Sequence, residues 1–109
     1  AVAPLGDRGA GLGGDVTSEG AVRAAFALAV ERFGGVDIAV SNAGVASSAA
    51  IEDTTLEEWQ RNHAVLVTGY FLVAREAFRL MRAQDRGAEV EDRCGHGSAP
   101  LTRPSGRRR

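Results

Sequence analysis

At 109 residues, with 44% hydrophobic and 25% charged side chains, the chain holds one modest core and at most a single domain. A formal net charge of −1 excludes a global field that would recruit nucleic acid or a membrane surface. No apolar run approaches the ~18 residues of a membrane span, no charged-then-apolar leader opens the chain, and a cytoplasmic location is the expectation.

Residues 1–14 form a lead-in with five glycines between Gly6 and Gly14. Gly9-Ala10-Gly11-Leu12-Gly13-Gly14 matches the dinucleotide pattern G-x-G-x-x-G. That motif works only when a strand feeds the turn, so that backbone amides meet a pyrophosphate at the next helix's N-terminus. Ala1 to Arg8, broken by Pro4 and Gly6, is too short to be that strand. A glycine-rich lead-in is therefore preferred to a phosphate loop.

Thr17 or Ser18 caps a helix starting near Glu19, whose carboxylate favours the first turn. Val22, Ala25, Phe26, Ala29, Val30 and Phe33 recur at helical spacing, and Gly34-Gly35 ends the run with a left-handed residue. Val36 to Val40 then read as a buried parallel strand leading into the turn Ser41-Asn42-Ala43-Gly44. Ligands of open parallel sheets bind at the strands' carboxyl ends, which here means Asn42, Ala43 and Gly44.

Thr55-Leu56-Glu57-Glu58-Trp59 is a capping box opening a long helix that runs to Ala83. Its stripe is Trp59, His63, Leu66, Val67, Tyr70, Phe71, Ala74, Phe78 and Met81, interrupted by Gly69. A glycine inside a helix costs ~1 kcal/mol relative to alanine, and here it implies close approach by another backbone. The stripe suits an ordinary core helix, a face shared with a second subunit, or both.

After Gln84 the pattern changes. Residues 85–109 have no periodicity, no aromatic side chain, and six arginines against four carboxylates. Such a segment buries too little to offset its ordering entropy and reads as a disordered tail. Arg107-Arg108-Arg109 is too short for a nucleic-acid site. Cys94 excludes an internal disulfide as the lone cysteine, and with His96 it supplies only two metal ligands, so no metal site is expected.

The order of these motifs resembles the short-chain dehydrogenase/reductase family. It comprises Asp15-Val16, a helix, Val36-Asp37-Ile38-Ala39-Val40-Ser41-Asn42-Ala43-Gly44, then Trp59 and Gly69-Tyr70-Phe71. Ser41-Asn42-Ala43-Gly44 is similar to that family's Asn-Asn-Ala-Gly turn, and Thr55 to Trp59 to the start of its dimer-forming helix. Trp59 to Met81 resembles the dehydrogenase part of fused aldolase/dehydrogenase proteins of rhamnose-type sugar metabolism. The resemblance covers roughly residues 12 to 84 and implies a partial Rossmann-like, doubly wound parallel α/β sheet over residues 15–84.

It further implies NAD or NADP as cofactor, with Asp15 and Val16 lining the adenine pocket and Asn42, Ala43 and Gly44 beside the cofactor. Asn42 would also tie neighbouring strands. The residue types suit these roles, since a carboxylate accepts from an amino group and glycine lets a ligand come close. A plain strand-to-helix turn uses the same Asn42 and Gly44.

Three departures bear on activity. No strand precedes Asp15 to carry a phosphate turn. The family's Tyr-x-x-x-Lys has no counterpart, because Ala74 stands four residues after Tyr70, the only tyrosine, and all 13 basic residues are arginine. A tyrosine donates a proton well at neutral pH only beside a cation that lowers its pKa. Leu66 occupies the place, seven residues after Trp59, where the family carries an asparagine, and since the aldolase-fused relatives resemble this chain there too it reads as subfamily character as readily as a loss. The abrupt arginine-rich, lysine-free tail resembles translation out of frame in GC-rich DNA.

Two expectations follow. The chain is an internal fragment of an NAD(P)-dependent short-chain oxidoreductase, inactive alone and lacking catalytic residues. Alternatively, it is a non-enzymatic module that pairs with itself or an intact relative through the helix Thr55 to Ala83.

Overall fold

The computed structural model describes residues 3–85, 89–92 and 101–102. Ala3–Arg8 forms 3-10 turns kinked at Gly6, and the chain then reaches Asp15 without a strand. Helix α1 spans Glu19–Phe33, with Ser18 capping it through the N–H of Ala21. Gly34 ends the helix at φ 81, donating its N–H to the carbonyl of Val30, as a left-handed C-cap requires.

Strand β1 spans Ile38–Ser41, two residues later than the hydrophobic run suggests at its start. It pairs in parallel with β2, Glu89–Asp92, in the register Ile38 to Glu89 and Ser41 to Asp92. Strand β3, Leu101–Thr102, adds an antiparallel edge in the order β1-β2-β3. Two sequence expectations change here. β1 is not buried on both faces: Ala39 and Ser41 are buried, while Ile38 and Val40 are 61% and 49% exposed. The segment after Gln84, expected to lack structure, contributes β2 and β3; residues 86–88, 93–100 and 103–109, Cys94 and His96 among them, lie outside the described residues. Backbone pairing to an existing strand supplies order that side-chain composition alone does not.

The connection from β1 to β2 is the long helical rod. It begins with α2, Leu56–His63, where Thr55 accepts from the N–H of Glu58 at 3.1 Å and Glu58 reaches back to the N–H of Thr55 at 3.4 Å. A π-helical turn follows at Ala64–Gly69, then α3, Tyr70–Ala83. The expected single α-helix is thus two α-helices joined through a wider turn, with His63, Ala64, Gly69 and Tyr70 all helical in backbone angle.

The core is small and built for close approach. Ala39 of β1 packs with Ala74, Ala77 and Met81 of α3, and Phe26, Val36 and Tyr70 close around them. Three alanines at one strand–helix crossing let the two backbones sit near each other with few voids. Gln84 fastens the end of α3 to the start of the strand region, donating to the carbonyl of Val36 and accepting its N–H at 3.2 Å.

Helix α1 lies on α3, clamped by charges. Glu19 pairs with Arg23 at 2.8 Å and with Arg75 of α3. Glu76, only 14% exposed, takes Arg79 at 2.7 Å and has the guanidinium groups of Arg23 and Arg75 within 3.7 Å. Arg75 also stands over the Phe71 ring, 5.1 Å from its centroid.

Candidate functional site

The Asp15-Val16 turn is shaped by its own hydrogen bonds. One carboxylate oxygen of Asp15 accepts from both the backbone N–H and the hydroxyl of Thr17, each at 2.8 Å. The backbone bond, then the hydroxyl bond, hold the Asp15 carboxyl below its ordinary pKa of 3.8. The backbone continues the turn, with the Ser18 N–H donating to the Asp15 carbonyl at 3.0 Å. Asp15 is exposed, and its second carboxylate oxygen accepts no hydrogen bond among the described residues.

Val16 points the other way, into the protein. A side-chain carbon placed at Gly69 would stand 2.8 Å from Cγ2 of Val16 and 3.3 Å from its Cβ. That spacing is closer than carbon atoms tolerate, so the π turn can seat Val16 only because residue 69 is glycine. The close neighbour of Gly69 is therefore a side chain of the same chain, and Gly69 is buried.

Within the same turn, Leu66 stands beside Gly44 of the Asn42-Ala43-Gly44 segment. A Cβ on Gly44 would lie 3.7 Å from Cδ2 of Leu66, an ordinary contact, and Gly44 has no positive φ. Nothing within the described chain demands glycine at 44. Asn42, Ala43 and Gly44 are all exposed, directly past the carboxyl end of β1. The amide of Asn42 makes no hydrogen bond among the described residues, so the expected tie to neighbouring strands is not formed there. Asn62 is engaged instead with Ser47, donating at 2.8 Å and holding the following loop.

The π turn thus meets both segments, with Val16, expected at the adenine pocket, against Gly69, and Gly44, expected beside the cofactor, near Leu66. The residue that comes close to Gly69 is thus the Val16 side chain and not, as the helical glycine implies, another backbone. A helical glycine with a bulky residue three positions earlier was the available clue.

Other expected chemistry stays apart. The run Gly9 to Gly14 follows 3-10 turns, so no strand among the described residues aims its amides at a pyrophosphate. Tyr70 is half-buried against the Ala39, Ala74, Ala77 and Met81 core. No group of three or more metal-ligating side chains occurs among the described residues, and none of their helices is long and apolar enough to cross a membrane.

A parallel βαβ unit with candidate ligand residues at the strand's carboxyl end defines a Rossmann-like piece. Comparison with known proteins makes this specific. The profile of the family described as enoyl-(acyl carrier protein) reductase matches residues 1–91. The chain belongs to the short-chain dehydrogenase/reductase family. It is 53% identical over 76 residues to the uncharacterized oxidoreductase YuxG of Bacillus subtilis, which is 70% of this chain and 11% of that protein. It is 41% identical over 90 residues to the inactive 2-(S)-hydroxypropyl-CoM dehydrogenase 2 of Xanthobacter autotrophicus, covering 83% of this chain and 39% of that one. A crystal structure of a short-chain dehydrogenase/reductase from Mycobacterium marinum superposes with a TM-score of 0.77 at 38% identity, over 84% of this chain and 36% of that chain. The chain spans well under half the length of these relatives, and the family match runs past Gln84 into β2.

Proposed function

We propose that this chain is part of an NAD(P)-dependent short-chain oxidoreductase and supplies the adenine side of the cofactor cradle. The substrate class is a hydroxyl or carbonyl compound, with sugars and hydroxyaldehydes favoured by the likeness of Trp59 to Met81 to aldolase-fused dehydrogenases. One observation carries the reading: a single π turn seats both Val16 and Gly44, the two segments expected to touch the cofactor. The residues fit that half of the group. Asp15 keeps one carboxylate oxygen for an amino donor, and Gly44 is a glycine that the chain's own packing does not require. NAD(P), the cofactor the family generally uses, would supply hydride chemistry, and Asp15, Val16, Asn42, Ala43 and Gly44 would hold its adenosine portion.

The chain alone is expected to be inactive. It contains no lysine, and its one tyrosine, Tyr70, is part of the core rather than a cleft wall. A cytoplasmic location belongs to the same reading. The test is titration of isotope-labelled protein with adenosine monophosphate and with nicotinamide mononucleotide, followed by NMR. Shifts confined to Asp15–Ser18 and Asn42–Gly44 with the adenine compound alone support the proposal. Equal response to both, response to neither, or NAD(P)-dependent turnover tracking the purified protein overturns it.

A second reading has its own observation. Trp59, Val67, Phe71 and Phe78 lie along one side of the rod and are 41–61% exposed. Such a stripe marks a partner surface, so we propose that the helix Thr55 to Ala83 pairs with a second copy or an intact relative. Gly69, buried against Val16, is outside that surface. Sedimentation equilibrium of the Val67→Lys, Phe78→Lys double variant decides it. Loss of self-association supports pairing, whereas a monomeric parent chain that also fails to bind an intact relative removes it.

A further inference from the structure

Asn62 stands within α2, where helix propensity gives no reason for it: asparagine is among the weaker helix formers and alanine is the best. It is half-buried between the exposed Arg61 and His63, so it faces into the protein. There its side-chain amide donates to the hydroxyl of Ser47 at 2.8 Å, across 15 positions of chain. Four residues further along the same face of the rod, Leu66 lies beside Gly44. The loop that leaves β1 through Asn42, Ala43 and Gly44 thus runs back along the rod, with Ser47 opposite Asn62. Its far end is closed separately, where the carbonyl of Ala50 accepts from the Thr54 hydroxyl and from the Asp53 N–H, each at 3.0 Å.

We propose that Asn62 is a positioning residue for the cofactor: by holding Ser47 it fixes the course of this loop, and so the presentation of Asn42, Ala43 and Gly44. The inference rests on the cofactor reading above and adds to it a residue that acts through another. Among the described residues, the bond from Asn62 is the one hydrogen bond that residues 43–49 make. Without it, several backbone torsions are freed, and a ligand that needs the loop in one course must order it on binding. The bond joins two side chains, so its loss leaves the backbone ladder of α2 in place. Asn62→Ala even improves helix propensity, and weaker binding by that variant cannot come from a weakened helix.

The test compares the parent chain with Asn62→Ala, Ser47→Ala, the double variant, and Ser47→Thr, which keeps a hydroxyl. Backbone nitrogen relaxation is measured without ligand, and adenosine monophosphate is then titrated against each labelled protein. Either alanine variant should lower the order parameters over residues 45–49 and weaken adenosine monophosphate binding by about threefold to tenfold, the worth of one hydrogen bond. The double variant should lose no more than either single one, because both remove the same bond. Ser47→Thr should bind like the parent. Alanine variants that bind as tightly as a binding-competent parent overturn this inference alone. So do additive losses, or weaker binding with the loop order unchanged. A parent chain that does not respond to adenosine monophosphate removes the cofactor reading and this inference with it. Ser47→Ala leaves the helix sequence untouched and decides the matter even if Asn62→Ala misfolds, which helical circular dichroism reveals.

Discussion

Gly69 and Val16, 53 positions apart in sequence, share a space that only one of them can fill: a Cβ on residue 69 would come within 2.8 Å of the valine's Cγ2. This contact joins the turn before α1 to the middle of the long rod. It also fixes how Asp15 is presented, because Val16 is the next residue.

Gly69→Ala is expected to destabilise the fold even though alanine is the better helix former by about 1 kcal/mol. Overpacking at the Val16 contact costs ~1–3 kcal/mol, which outweighs the propensity gain. Val16→Ala in the same chain should remove the clash and turn the effect of Gly69→Ala toward stabilising. Urea unfolding of the two single variants and the double variant checks it; additive effects would mean that the two residues do not meet.

Gln84→Ala should destabilise by ~1–3 kcal/mol, since Val36 keeps a part-buried N–H and carbonyl that lose their partner. Gln84→Glu retains the acceptor for the Val36 N–H but loses the donor, and is expected to recover only part of the loss. Denaturant midpoints of the three proteins give the order.

The charge clamp between α1 and α3 should depend on Glu76 more than on Glu19. Glu76 is 14% exposed with three arginines around it, whereas the Glu19 side chain is 47% exposed and solvent-screened. Glu19→Gln is expected to cost under about 1 kcal/mol, and less in high salt. Glu76→Gln should cost roughly 1–3 kcal/mol and respond less to salt, because charge-assisted hydrogen bonds are lost from a partly buried site. Thermal unfolding at two salt concentrations separates them.

The Asp15 turn should respond to acid. Its folded pKa is lowered below the ordinary 3.8, so the turn's contribution is present above that value and is lost as pH falls through the folded pKa. NMR titration of the Asp15 carboxyl carbon and the Thr17 N–H should give one shared, low midpoint. Thr17→Val, which removes the hydroxyl bond but keeps the backbone one, should raise the midpoint without restoring it to 3.8.

The local devices were legible from residue order. The Ser18 cap, the left-handed Gly34 and the reciprocal Thr55 and Glu58 bonds depend on neighbours within five positions, and each formed where its sequence pattern stands. The motif order Asp15-Val16, helix, strand, Asn42-Ala43-Gly44 likewise resembles that of the short-chain dehydrogenase/reductase family, to which the chain belongs. Contacts between distant segments were not legible. Residue spacing says that Gly69 needs room but not that Val16 takes it, and composition after Gln84 says nothing of β2 pairing with Ile38–Ser41. The π turn that seats Val16 and Gly44 belongs to the same class. Helical periodicity is nearly the same with or without one wider turn, and the choice is visible only once the segments packed against it are in place.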